Sequence, residues 1–208
     1  MSAEQQLALT SRRLYDLGWM RGTSGNASLR TDSRVLVTAS GVDKATLGED
    51  HVVEVDALGE AIPGQALSPS AEARVHAAIL NAARADAAVH VHAMSGVVAA
   101  ARWPHGVPLA DVEQLKGIGR GAEGDLITVP VVANSQDMAD LSARVVQAMD
   151  TGVPCVIVAQ HGIYTWGASL EEAVARTESL DWLFDHALRL DALAALGHNV
   201  GTHHEEDR

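Results

Sequence analysis

Two histidines sit in an apolar strand, and that limits the fold more than any other feature of the chain. The run Ala88-Val89-His90-Val91-His92 is built from small and β-branched residues up to and between the imidazoles. Side chains at i and i+2 of a strand point to the same face, so His90 and His92 are expected side by side. Burying two imidazoles without partners is costly, so the strand must run into a polar site supplied by other segments. A second apolar run, Cys155-Val156-Ile157-Val158-Ala159, leads to His161-Gly162, where glycine lets the backbone turn and bring a third ring inward. Three imidazoles with an open position describe a catalytic zinc site. Manganese, iron or nickel would accept the same ligands, so one divalent ion per subunit, Zn2+ first, is the expectation.

The other seven histidines carry less. His51, His76, His105, His186 and His198 are isolated in the sequence and read as surface or satisfied core groups, and His203 and His204 fall in a polar tail.

The remaining pattern interleaves strands and helices. Leu7, Leu14 and Leu17 mark an amphipathic helix opened by a Ser2/Gln5 capping box and closed by Gly18. Strands are expected at Ala27–Leu29, Arg34–Thr38, His51–Asp56, through the histidine pair, at Leu126–Val132 and at Cys155–Ala159. Helices are expected from Ala71 to Ala83 with Ser70 as N-cap, from Met94 to Trp103, and from Ser135 to Met149. A last one opens at a Ser169/Glu172 capping box and runs to Leu196. No repeat, low-complexity tract or linker divides residues 1–208, so one three-layer α/β/α domain around a central sheet is expected, with a polar tail from about 197.

Anion binding has several candidate positions. Thr23-Ser24-Gly25-Asn26 and Thr38-Ala39-Ser40-Gly41 are short runs of hydroxyls, amide and glycine beside strands, which present N–H and side-chain donors without net charge. Ser70 stands before a helix N-terminus. With Lys44, these positions would make a single phosphate pocket if the fold brings them together. Two carboxylates are chemical candidates: Glu72, in the first turn after Ser70, and Glu113, within Asp111-Val112-Glu113-Gln114-Leu115-Lys116-Gly117-Ile118-Gly119.

Composition removes some classes of function. The net charge of −12 argues against a nucleic-acid surface, which needs clustered Lys and Arg. No apolar run has membrane-spanning length and no signal-peptide pattern opens the chain. The one cysteine, Cys155, cannot pair internally and lies mid-strand. A cytoplasmic protein with an inert buried thiol is expected.

Taken together, Thr23-Ser24-Gly25-Asn26, the Ser40-Gly41 turn, Pro69-Ser70-Ala71-Glu72, His90-Val91-His92 and His161-Gly162 resemble the class II aldolase/adducin family, in order and over nearly the whole chain. The resemblance implies a mixed-sheet α/β/α domain, a homotetramer and a small sugar-phosphate substrate. It also implies zinc on His90, His92 and His161, and phosphate held by the Asn26, Ser40-Gly41 and Ser70 regions. Within the family, Glu113-Gln114-Leu115-Lys116-Gly117-Ile118, Asn134-Ser135-Gln136-Asp137 and His161-Gly162-Ile163-Tyr164-Thr165-Trp166-Gly167 look like the branch that removes water from a methylthio-substituted ketose 1-phosphate. Glu113 falls where those dehydratases carry a catalytic glutamate and the aldolases a tyrosine. Glu72 falls where aldolases place the glutamate that works beside the metal. Against the aldolase pattern, Ala71 replaces a serine and the tail after Leu196 has no tyrosine. The alternatives are a fuculose/rhamnulose/ribulose phosphate-type aldolase with Glu72 as base, and a non-catalytic adducin-like interaction domain.

Overall fold

The computed structural model describes residues 1–32 and 34–197. The tail expected beyond residue 197, with His198, His203 and His204, lies outside the described residues. Helix α1 (Ala3–Asp16) opens as its sequence requires. Ser2 Oγ accepts from Gln5 N at 3.1 Å and Gln5 Oε1 accepts from Ser2 N at 3.2 Å. Leu7 and Leu14 are fully buried, whereas Leu17 is the helix cap and 44% exposed. Gly18 follows at φ +81°, the left-handed position that ends many helices.

The central sheet has seven strands. In chain order they are β1 (Asn26–Arg30), β2 (Val35–Thr38), β3 (Val52–Val55), β4 (Ala87–Val91), β7 (Val131–Val132), β8 (Cys155–Val158) and β9 (Gly162–Gly167). Their spatial order is β3-β2-β1-β4-β9-β8-β7. Every pairing is antiparallel except β7 with β8, so the sheet is mixed, as the resemblance implied. The expected single strand over Leu126–Val132 is instead two. Pro130 lacks an N–H and cannot continue a ladder on both sides. β6 (Leu126–Val129) pairs with β5 (Val107–Ala110) in a separate two-stranded sheet, and beyond Pro130 the chain joins the main sheet as β7.

The sheet is covered on both faces, giving the three expected layers. Ala87, Val89 and Val91 of β4 pack with α1, α3 (Met94–Arg102) and α5 (Leu170–Ala195). Ala88, one position out of phase, packs with α2 (Ala73–Ala83) and α4 (Met138–Ala148). This alternation follows from the two-residue period of a strand, and it sends His90 to the α2/α4 side. Cys155 is fully buried, as expected, and burial pushes its thiol well above the usual range.

Two helix starts differ from expectation. α4 is capped by Asp137, whose Oδ1 accepts from Ala139 N at 2.8 Å, while Ser135 Oγ, two residues earlier, accepts from Asp137 N. α2 begins at Ala73, not Ala71, and Ser70 is not its cap. Ser70 N instead donates to Thr38 O at 3.1 Å, and the neighbouring Pro69 bridges Ala39. This strand-like contact holds residues 69–70 extended and delays the helix. At the other end of the chain Ser169 does cap α5. Glu172 Oε2 reaches back to Ala168 N at 2.6 Å. Among the described residues no helix is long and apolar enough to cross a membrane.

Candidate metal and substrate site

The β4–β9 pairing brings the histidines together. His90, within β4, is fully buried, and His92 stands just past its end. His161 occupies the tight turn between β8 and β9, after Gln160 at φ +58°. Gly162 is required there, because a Cβ would overlap Val91 O and meet His90 Cε1 at 3.0 Å. Gly25 has the same role on the other flank: at φ +71° its backbone lies against the strand, and a Cβ would sit 3.0 Å from His90 O.

The ligating nitrogens of His90, His92 and His161 lie within 4.8 Å of one another. His90 Nδ1 is 3.1 Å from Ile163 O. A carbonyl only accepts, so Nδ1 carries the proton and the Nε2 lone pair faces the cluster. His92 Nε2 approaches that atom to 3.1 Å. Burial pushes His90 down to about 3 and also lowers His92, so both rings are neutral near pH 7. Neutral imidazoles with converging lone pairs are the donor set that a zinc-like divalent ion takes.

Glu72 completes the cluster from the turn before α2. Its Oε1 is 3.2 Å from His161 Nε2 and its Oε2 is 3.5 Å from His90 Nε2. Burial opposes the charge on Glu72. Attraction to the facing His90 and His161 rings, with a 2.6 Å hydrogen bond donated by the Asn26 amide, outweighs that and holds the carboxyl below the usual carboxylate range. Glu72 is therefore a buried anion facing the three rings.

One cleft of about 340 Å³ collects Thr23, Ser24, Gly25, Asn26, Ser40, Gly41, Lys44, Ser70, Glu72, His92 and His161. The fold thus brings the three separate anion-binding candidates into one wall. Lys44 is 1% exposed. Its Nζ donates to Thr23 O at 3.1 Å and Val42 O at 2.9 Å, tying the two glycine turns together, and burial lowers its pKa. Asn134, Gln136 and Met138, after β7, and Gln160 also line the cleft. A larger groove of about 610 Å³, lined by Leu17, Trp19, Met94, Val98, Asp181 and Trp182, contains none of these groups.

Glu113 is not brought into this cleft. It opens the 3-10 helix Glu113–Ile118, which packs beside α5. Its side chain is 77% exposed and its carboxylate pairs with Lys116 at 2.6 Å. Two residues close to the cluster were not singled out from the sequence. Tyr164 stacks on His90 with ring centroids 4.2 Å apart, and its hydroxyl has no hydrogen-bond partner among the described residues. His76 is fully buried one helical turn after Glu72. The i, i+4 spacing of Glu72 and His76 was the available signal for the second.

The architecture and the three-imidazole cleft define an α/β/α domain built around a candidate divalent-metal site. The chain belongs to the Class II Aldolase and Adducin N-terminal domain family, which it matches over residues 5–188. It is 35% identical over 179 residues to a methylthioribulose-1-phosphate dehydratase of Exiguobacterium sibiricum, covering 84% of this chain and 87% of that protein. It is 37% identical over 194 residues to a probable bifunctional methylthioribose-1-phosphate isomerase/methylthioribulose-1-phosphate dehydratase of Nocardia farcinica, of whose length it spans 35%. Among solved structures, the L-fuculose-1-phosphate aldolase of Thermus thermophilus superposes with a TM-score of 0.79 at 23% identity, covering 96% of this chain and 100% of that one. That likeness establishes the fold.

Proposed function

We propose that this protein is a metal-dependent hydro-lyase that converts 5-methylthioribulose 1-phosphate to 2,3-diketo-5-methylthiopentyl 1-phosphate in methionine salvage. The observation that carries the reading is the identity to methylthioribulose-1-phosphate dehydratases along most of the chain, with a complete three-histidine cluster beside an anion-friendly wall. His90, His92 and His161 hold the ion, taken to be zinc, one per subunit. A divalent metal there supplies Lewis-acid polarisation of a carbonyl.

The chain's own residues divide the remaining work. The turns at Thr23-Ser24-Gly25-Asn26 and Ser40-Gly41, with Ser70, offer N–H and hydroxyl donors to the phosphate. Lys44 holds the two turns together and puts a positive charge beneath them. Glu72, an anion beside the imidazoles, orients the substrate's hydroxyl groups and accepts their protons. Glu113 is the proposed acid–base group that takes the C3 proton and returns one to the departing C4 hydroxyl, a role typically worth about 10²–10⁴-fold. Because Glu113 is exposed and outside its own chain's cleft, this role requires a neighbouring subunit to present it. A homotetramer provides such a neighbour. The apolar groove at Leu17, Met94, Val98 and Trp182 is a surface such an assembly can cover. The buried lone cysteine suits a reducing cytoplasm.

The test is incubation of purified protein with methylthioribulose 1-phosphate, with and without a chelator. Chelator-sensitive loss of water is expected. Release of dihydroxyacetone phosphate from fuculose or rhamnulose 1-phosphate, without that dehydration, would instead make the protein an aldolase with Glu72 as base. An absence of bound divalent metal after gentle purification would point to a non-catalytic adducin-like domain.

A further inference from the structure

We propose that His76 is a positioning residue for Glu72, acting through the side-chain amide of Asn26. Four side chains form a buried line running back from the cleft. Asn26 Nδ2 donates to Glu72 Oε2 at 2.6 Å, the other end of the same amide meets His76 Nε2, and His76 Nδ1 lies 2.7 Å from Ser28 Oγ. Ser28 and His76 are both fully buried, and Asn26 is 4% exposed.

Elementary chemistry allows one arrangement of protons along this line. Glu72 is ionised and only accepts, so Asn26 must turn its NH2 toward it. Asn26 Oδ1 then faces His76, which must donate from Nε2. A neutral ring protonated at Nε2 has a lone pair at Nδ1, and the Ser28 hydroxyl donates to it. Burial lowers His76 to about 4 despite the Glu72 charge, so the neutral ring is the form present near pH 7. Each member fixes the orientation of the next, and the last bond falls on the carboxylate oxygen nearer His90. The Asn26 amide could otherwise flip and present its oxygen to Glu72, which would repel the carboxylate from the cluster. Asn26, expected from the sequence to serve the phosphate, therefore also holds Glu72.

This inference rests on the proposed role of Glu72 in turnover, and the two can fail separately. The first arm uses no activity. In zinc-loaded, 15N-labelled full-length protein, long-range 1H–15N spectra at neutral pH should show His76 as the Nε2–H tautomer, assigned by the signal lost in His76→Gln. An Nδ1–H tautomer overturns the relay, since such a ring cannot donate to Asn26. The second arm compares His76→Leu with His76→Gln. The first removes the donor, while the second keeps an amide N–H within reach of Asn26. His76→Leu should lower kcat about 10–100-fold, as loss of a supporting hydrogen bond typically does, with KM within about twofold and one zinc per chain retained. His76→Gln should recover most of the lost kcat. Wild-type kcat in His76→Leu, or equal losses in both variants with unchanged melting temperatures, overturns the positioning role. Should His76→Leu not fold, His76→Asn, whose shorter amide leaves Asn26 Oδ1 without a donor, carries the same expectation. A wild-type protein that does not turn over methylthioribulose 1-phosphate refutes the proposed reaction, and the tautomer then decides the relay alone.

Discussion

Glu72 and His161 approach to 3.2 Å through Oε1 and Nε2, though one precedes α2 and the other sits in the β8–β9 turn. The carboxylate is wedged among three imidazoles rather than paired with an arginine or lysine. Its neighbours are therefore groups that bind cations as well as protons. This relationship makes the cleft chemically distinct from the larger apolar groove elsewhere on the surface.

Removing one ligand should abolish tight metal binding. Wild-type protein is expected to hold about one zinc per chain after gel filtration in metal-free buffer, and His161→Ala well under a tenth of that, consistent with the three-ligand sites of catalytic zinc proteins. Inductively coupled plasma mass spectrometry reads the difference directly. Full occupancy in His161→Ala would place the ion elsewhere.

Glu113 offers a sharp separation of stability from activity. Its side chain is mostly exposed and, among the described residues, bonded only to Lys116, so Glu113→Gln should melt at the wild-type temperature and bind zinc normally. Turnover should fall by about 10²-fold or more, the usual contribution of an acid–base group. Mixing Glu113→Gln with His161→Ala subunits should restore part of the activity if one subunit's glutamate serves its neighbour's cleft. No recovery in exchanged hetero-oligomers would confine the reaction to groups within a single chain.

The depressed basicity of His76 makes stability depend on pH in a defined direction. The ring is neutral in the fold down to about pH 4 but takes a proton near 6.5 when unfolded. Between those values the unfolded state binds more protons, so stability falls as pH drops and levels off below the folded value. The shift corresponds to on the order of 3 kcal/mol for one ring. Urea denaturation of the metal-free protein between pH 7.5 and about 4 should show the decline, and His76→Gln should flatten part of it. An unchanged slope in that variant would assign the acid sensitivity to other groups.

Gly162→Ala should disturb the histidine cluster from behind. The added methyl group would overlap Val91 O and press on the His90 ring, an overpacking change that typically costs about 1–3 kcal/mol. A lowered melting temperature together with weakened zinc affinity is expected. A variant that melts like wild type and keeps full affinity would show that the β4–β9 contact can relax.

Much of this was legible in the linear chain. The strand leading into His90 and His92, the turn carrying His161, the helix caps at Ser2 and Ser169 and the interleaving of strands and helices all depend on neighbours within a few residues. Where local reading failed, a distant contact had intervened. Thr38 holds Ser70 extended and delays α2, and Pro130 divides what looked like one strand between two sheets. His76 read as an isolated surface or core histidine because its partners, Asn26 and Ser28, stand on β1, far along the chain from α2.

The sequence by itself determined which residue types could hold a metal and an anion, and the local conformations that present them. Periodicity and turn chemistry act over short stretches, so the chain carries them openly. Only the tertiary structure decided that β1, β4 and β9 lie side by side, and hence that Asn26, Glu72, His92 and His161 share one cleft while Glu113 stands outside it. Strand order is set by the collective burial of both sheet faces beneath the five α-helices of the described residues, a property that no local run of residues can express.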